Sequence, residues 1–100
     1  MHTVDLKLVT VITERLLKDR VLDDLRKCGA KGFTISNATG EGSRGVRASE
    51  WEGQNLRIES VVSRAVADKI VEAIADDFFE NYAVIVFLHD VQVVRGDKYV

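Results

Sequence analysis

Two blocks with the same succession of hydrophobic periods, separated by a stretch with none, limit this chain to very few folds. Val4, Leu6 and Leu8 alternate with Asp5 and Lys7, which is the two-residue period of a strand. From Leu8 to Ile12 both faces turn apolar, and Thr13 is placed to cap a following helix. There Leu17, Val21, Leu25 and Cys28 form one apolar stripe, and Gly29 stands where the helix would stop. Gly32 to Ala38 reads as a strand, with Phe33 and Ile35 on one side and Thr34 and Ser36 on the other. In the second block Leu56, Ile58, Ser60 and Val62 alternate with Arg57 and Glu59. Ser63 can cap a helix whose stripe is Ala67, Ile70, Val71, Ile74 and Phe78, with Asn81 as its terminator. Val84 to Leu88 is a continuous apolar strand that can run on through Val91, Val93 and Val94 to a short polar tail.

Strand, helix, strand, long loop, strand, helix, strand is the split βαβ, or ferredoxin-like, arrangement. The fold expected is α+β, βαββαβ, with both helices on one face of a four-stranded antiparallel sheet. Val9 and Val11, and Ile85 and Phe87, are expected on the opposite face. Exposed apolar area of that kind marks an interface, so a cyclic homo-oligomer with inward-facing sheets is expected. A chain of 100 residues, 46 % of them hydrophobic, forms a single domain over residues 1–100. Alone it buries a modest share of its surface, which also favours self-association.

Charge and cysteine usage exclude several function classes. A net charge of −2 lacks the basic footprint of a nucleic-acid binder. One cysteine, Cys28, forms no intrachain disulfide, which suits a reducing compartment. No apolar run reaches membrane-span length, and Met1 to Lys7 lacks a signal-peptide core. The expectation is a cytoplasmic protein that does not insert into lipid and reaches a membrane through a partner.

Side chains able to do chemistry are sparse. His2 is terminal and His89 follows an apolar strand, where a structural role is expected. Asp76 and Asp77 are helical neighbours that diverge in direction, so they form no dyad and are expected on a solvated face. Cys28 has Arg26 and Lys27 near it, yet a helix C-terminus disfavours a thiolate, so a buried structural thiol is expected. No His/Cys set has metal-ligand spacing. Catalytic residues and metal ligands are therefore none.

The informative stretch lies within Asn37–Gln54, which has no sustained period and four glycines. Loops of this length in compact domains are usually functional or disordered. Its core is Thr39-Gly40-Glu41-Gly42-Ser43-Arg44-Gly45-Val46-Arg47. Glycines at that spacing let backbone N–H groups approach an anion and nest around it, and Arg44 and Arg47 supply forked donors for phosphate oxygens. Two readings are open on composition alone: a phosphate site, or a solvated loop with incidental arginines. Trp51, the only tryptophan, likewise either folds onto its own domain or anchors a protein partner beside Glu50.

Gly29-Ala30-Lys31-Gly32-Phe33-Thr34, followed by Gly40-Glu41-Gly42-Ser43-Arg44-Gly45-Val46-Arg47, resembles the second strand and T-loop base of PII-like proteins, and is similar to the SbtB branch. Phe78-Phe79-Glu80-Asn81-Tyr82-Ala83 before an apolar strand matches that branch as well, and the likeness runs from Leu8 to about Gly96. The resemblance implies a homotrimer binding adenine nucleotides (cyclic AMP, AMP, ADP, ATP) between subunits. It also implies action on a sodium-dependent bicarbonate transporter in carbon acquisition, with a flexible T-loop at about residues 37–54. Carried over by position, Arg44 and Arg47 hold phosphate, and Gly40, Gly42 and Ser43 form the loop wall. Phe33, Thr34 and Ile35 line the cleft. Tyr82, Ala83 and Val84 frame the adenine through backbone groups, and Arg95 reaches in from the last strand. Glu50 and Trp51 are left for the partner. No cofactor is obligatory, and Ca2+ or Mg2+ is a candidate companion of ATP. The chain reaches Val100 with no cysteine after Cys28, which argues against the redox gating and hydrolysis of some relatives. A nucleotide hydrolase, with Glu41 as the loop's candidate base, and a metal or small-ligand regulatory domain are the alternatives on this fold.

Overall fold

The computed structural model describes residues 2–39 and 55–99. Strand β1 (Thr3–Glu14) leads through a 3-10 turn (Arg15–Leu17) into helix α1 (Lys18–Cys28). Strands β2 (Thr34–Ala38) and β3 (Asn55–Val62), helix α2 (Arg64–Phe78), strand β4 (Ile85–Val94) and a 3-10 turn (Gly96–Tyr99) follow. The sheet order is β2-β3-β1-β4 with every pair antiparallel, as the two periodic blocks require. Asn37 pairs with Leu56 and Ala38 with Asn55, so β2 extends into the stretch read as loop.

The register assigns the faces. Val9 lies opposite Ser60 and Leu88, and Val11 opposite Ile58 and Val86. Side chains alternate along a strand, so these residues share the helix side, where Val9, Val11, Ile58, Leu56 and Val62 join Leu17, Val21, Leu25, Ala67, Ile70, Ile74 and Phe78 in one core. This corrects the expectation for Val9 and Val11, which are fully buried under the helices. Where β1 is apolar on both sides, alternation alone does not tell its faces apart, and Val4, Leu6, Leu8 and Ile12 occupy the far face instead. Ile85 and Phe87 do lie on that far face, opposite Ile12 and Thr10. Ile85 is 47 % exposed there.

The helix ends divide by local chemistry. Ser63 is extended (φ −69°, ψ 162°), and its Oγ accepts from Val66 N at 3.2 Å, capping α2. Gly29 closes α1 at φ 111° with its N–H on the Arg26 carbonyl, a left-handed position that favours glycine. Thr13 caps nothing, because β1 runs on to Glu14 and Thr13 is fully buried within the sheet. Neither the Glu14 nor the Leu17 side chain caps the turns that follow.

Candidate functional site

The connection from α1 to β2 is fixed at two points. Ser60 Oγ, on β3, donates to the Gly32 carbonyl at 2.6 Å. Phe33 packs against the core with the Arg26 guanidinium 5.3 Å above its ring. With that connection held, Lys31, Gly32, Phe33 and Thr34 form one wall of an open cleft of about 470 Å³. Leu8, Glu59, Ser60 and Val61 supply the sheet side, and Lys98, from the turn after β4, supplies the rest. Register explains the neighbours: Thr34 faces Glu59, Glu59 faces Thr10, and Leu8 faces Val61. The Glu59 carboxylate accepts from Arg57 Nε at 3.2 Å and from Thr10 Oγ1 at 3.5 Å through the same oxygen, Oε2.

This cleft offers an apolar surface (Leu8, Val61, Phe33), a hydroxyl (Thr34), a carboxylate held from one side (Glu59) and two ammonium groups (Lys31, Lys98). Its volume lies within the range of small-molecule pockets, about 300–1,000 Å³. The mix suits a ligand with a flat apolar part, hydrogen-bond donors and negative charge. A second depression of about 430 Å³ is lined by Asp5, Leu6, Lys7, Arg64, Asp90, Val91 and Gln92. Its Lys7 ammonium is paired with Asp90, which holds the Asp90 carboxyl below the usual range.

Of the residues expected at the site, Phe33 and Thr34 line the cleft. Ile35 does not; it faces Ile58 on the helix side of the sheet and is 41 % exposed. Tyr82, Ala83, Val84 and Arg95 lie away from it as well. Tyr82 packs edge-on against Phe78, and Val84 is buried in the core. Arg95 has a left-handed backbone (φ 66°), and its carbonyl accepts from Lys98 N, turning the chain so that Lys98 returns to the cleft. Gly40, Gly42, Ser43, Arg44, Arg47, Glu50 and Trp51 lie outside the described residues. Their segment departs after β2 and rejoins at β3, whose ends are paired at Ala38 and Asn55. Arg15 Nη2 donates to Asn37 Oδ1 at 3.0 Å just before that departure.

Sequence reasoning missed Glu59, Lys31 and Lys98. Glu59 read as the polar half of an alternating strand, Lys31 only as part of the stretch that carries the resemblance, and Lys98 as part of a short polar tail. The signal for Glu59 was a carboxylate on a strand of a sheet whose outer face was otherwise expected to be apolar. Away from the cleft, Asp76 and Asp77 are both exposed, as expected, and Asp77 stands close enough to Asp24 on α1 to act on its carboxyl. Burial first, then Asp77, pushes the Asp24 carboxyl up to about 6. Burial, followed by the Asp24 charge, also raises the Cys28 thiol, in keeping with a structural cysteine. Among the described residues no group of three metal-ligating side chains occurs, and no helix is long and apolar enough to cross a membrane.

The fold and this cleft together define a ferredoxin-like α+β ligand-binding domain. Residues 6–98 match the model of the family described as Nitrogen regulatory protein P-II, and the chain belongs to that family. It is 50 % identical to a PII-like signalling protein from Thermus thermophilus, over all of both chains, with a TM-score of 0.87. It is 30 % identical to CPII from Thiomonas intermedia K12, solved with ADP and bicarbonate, over 99 % of this chain and 98 % of that one, with a TM-score of 0.86. A further CPII structure, with ADP, AMP and acetate, aligns at 29 % identity over 99 % and 98 % of the two chains with a TM-score of 0.85. Nitrogen regulatory protein GlnK2 from Haloferax mediterranei is 33 % identical over 60 residues, 52 % of this chain, and the match spans about half of that relative, 49 %.

Proposed function

We propose that this protein is an adenine-nucleotide sensor whose binding sites form at seams between copies of the chain, as a trimer. The observation that carries the reading is the cleft itself. It holds groups for a base and a ribose (Glu59, Thr34, Val61, Leu8) and cations for phosphate (Lys31, Lys98), yet Tyr82, Ala83, Val84 and Arg95 lie elsewhere on the same subunit. One chain therefore presents two half-sites, and a second copy brings them together. Arg44 and Arg47, on a Gly40-Gly42-Ser43 backbone, add the phosphate contacts. The far sheet face supports self-association, since Ile85, Phe87, Ile12 and Leu8 place apolar area there. CPII, solved with ADP and AMP, supports the ligand class.

The mechanism follows from charge. Arg44 and Arg47 repel each other without a ligand, and a phosphate neutralises them and orders the loop base. A partner requiring one arrangement of residues 37–54 then distinguishes nucleotides, because a ligand shifts an equilibrium by its differential affinity for the two states. Glu50 and Trp51 are the contacts offered to that partner. The partner proposed is a sodium-dependent bicarbonate transporter, following the SbtB-like motif, which would recruit this protein from the cytoplasm to the membrane. The protein acts by binding, not catalysis, and a divalent cation accompanies ATP alone. A second reading, favoured by the CPII structure with ADP and bicarbonate, makes bicarbonate a direct co-ligand beside the nucleotide.

Isothermal calorimetry with cyclic AMP, AMP, ADP and ATP, with and without bicarbonate, tests this. Wild type is expected to bind at least ADP and AMP. An Arg44→Ala/Arg47→Ala double variant should lose on the order of a hundredfold or more for ADP, as two charge-assisted bonds of about 1.5–3 kcal/mol each require. Silence toward all four nucleotides would remove the sensor reading.

A further inference from the structure

Arg20 stands in the first turns of α1, yet its guanidinium reaches the junction between α2 and β4. It lies 4.9 Å from the ring centre of Phe78, the last residue of α2, and 5.5 Å from that of Tyr82. Its Nη1 donates to Tyr82 Oη at 3.3 Å. The two rings meet edge-on at 6.1 Å. Backbone bonds complete the arrangement, since the Phe78 carbonyl accepts from Tyr82 N at 2.9 Å and from Asn81 N at 3.2 Å. Beyond Tyr82, Val84 is buried in the core and Ile85 opens β4. Ala83 is thus a one-residue bridge between a ring held by Arg20 and a side chain held by the core.

Arg20 itself is exposed, so its guanidinium adds little buried area to the core that Phe78 belongs to. What it fixes is the path of three residues, Tyr82 to Val84. Removing the guanidinium leaves the Tyr82 ring resting on Phe78 and the edge of the core, with its hydroxyl deprived of the Arg20 donor. A cation over an aromatic face adds direction as well as energy, so the ring's orientation and the backbone attached to it are set together.

We propose that Arg20 is a positioning residue for the Tyr82–Val84 backbone and thereby sets adenylate affinity from a place where it touches no ligand; the affinity part rests on the sensor reading above. The test compares Arg20→Ala, Arg20→Lys and Tyr82→Phe with wild type by ADP calorimetry, by hydrogen exchange at Tyr82–Val84 and by thermal unfolding. Arg20→Ala should weaken ADP on the order of fivefold, the scale of one cation–π contact, with faster exchange confined to the bridge and little change in Tm. Arg20→Lys should recover part of the loss, and Tyr82→Phe, which keeps the ring, should lose less than Arg20→Ala. Unchanged ADP affinity and exchange in Arg20→Ala would overturn the proposal, as would a fall in Tm with exchange rising throughout the chain. If wild type binds no adenylate the sensor reading fails by itself, and exchange at the bridge still decides whether Arg20 positions it.

Discussion

Asp24 shows how much a single side chain can depend on an element far away in sequence. On α1 it reads as one of several acids, but α2 brings Asp77 against it, and with both ionised Asp24 Oδ2 is buried without a partner. A proton kept between them relieves this, and burial together with Asp77 raises Asp24 to about 6 from an ordinary 3.8. Lys27 opposes the rise but is itself engaged by Asp23, at 2.9 Å. The folded state therefore binds the Asp24 proton more tightly than the unfolded chain does. Linkage then makes this contribution fully present below about pH 4 and lost as the pH rises through about 6. Urea titrations from pH 4 to 7.5 should show Asp24→Asn gaining on wild type as the pH rises through that window. An identical pH dependence in the two proteins would contradict the assignment. Glu59 was hidden for a related reason: its neighbours Thr34 and Thr10 belong to other strands, and only register places them beside it.

At the scale of elements, most of the fold was legible because period and punctuation agree. Ser63 precedes an apolar stripe and does cap it, and Gly29 follows one and does end it. Ser63→Ala should cost about 1 kcal/mol in equilibrium unfolding, the usual worth of a cap, while Thr13→Ser, at a buried sheet position that caps nothing, should leave α1 helicity unchanged by circular dichroism. Equal helix loss in both would refute the division. Thr13 misled because a hydroxyl before a helical stripe looks the same whether the strand has ended or, as here, runs on to Glu14. The face of β1 was illegible for a similar reason. A strand apolar on both sides is fitted to burial twice, once under helices and once against something else, and alternation alone does not say which set is which.

For the whole molecule, that second burial is the central point. The far face is polar toward β2 and β3, with Thr34, Ser36, Arg57 and Glu59, and apolar toward β1 and β4, with Leu8, Ile12, Ile85 and Phe87. A face so divided suits packing against copies of itself on the apolar side while leaving the polar side to line a seam. The ligand class was an expectation of the family resemblance, whereas the cleft could not be read at all, since Lys31, Glu59 and Lys98 converge only after the sheet has formed and the tail has turned back. The most direct measurement is complementation in mixed oligomers. Glu59→Ala chains keep the half-site of Tyr82 to Val84 and Arg95, and Arg95→Ala chains keep the cleft. Each homo-oligomer should bind ADP poorly, and oligomers assembled from both should regain tight sites at the seams where an intact half from each chain meets. Mixed oligomers that form but bind no better than either parent would contradict a site shared between subunits.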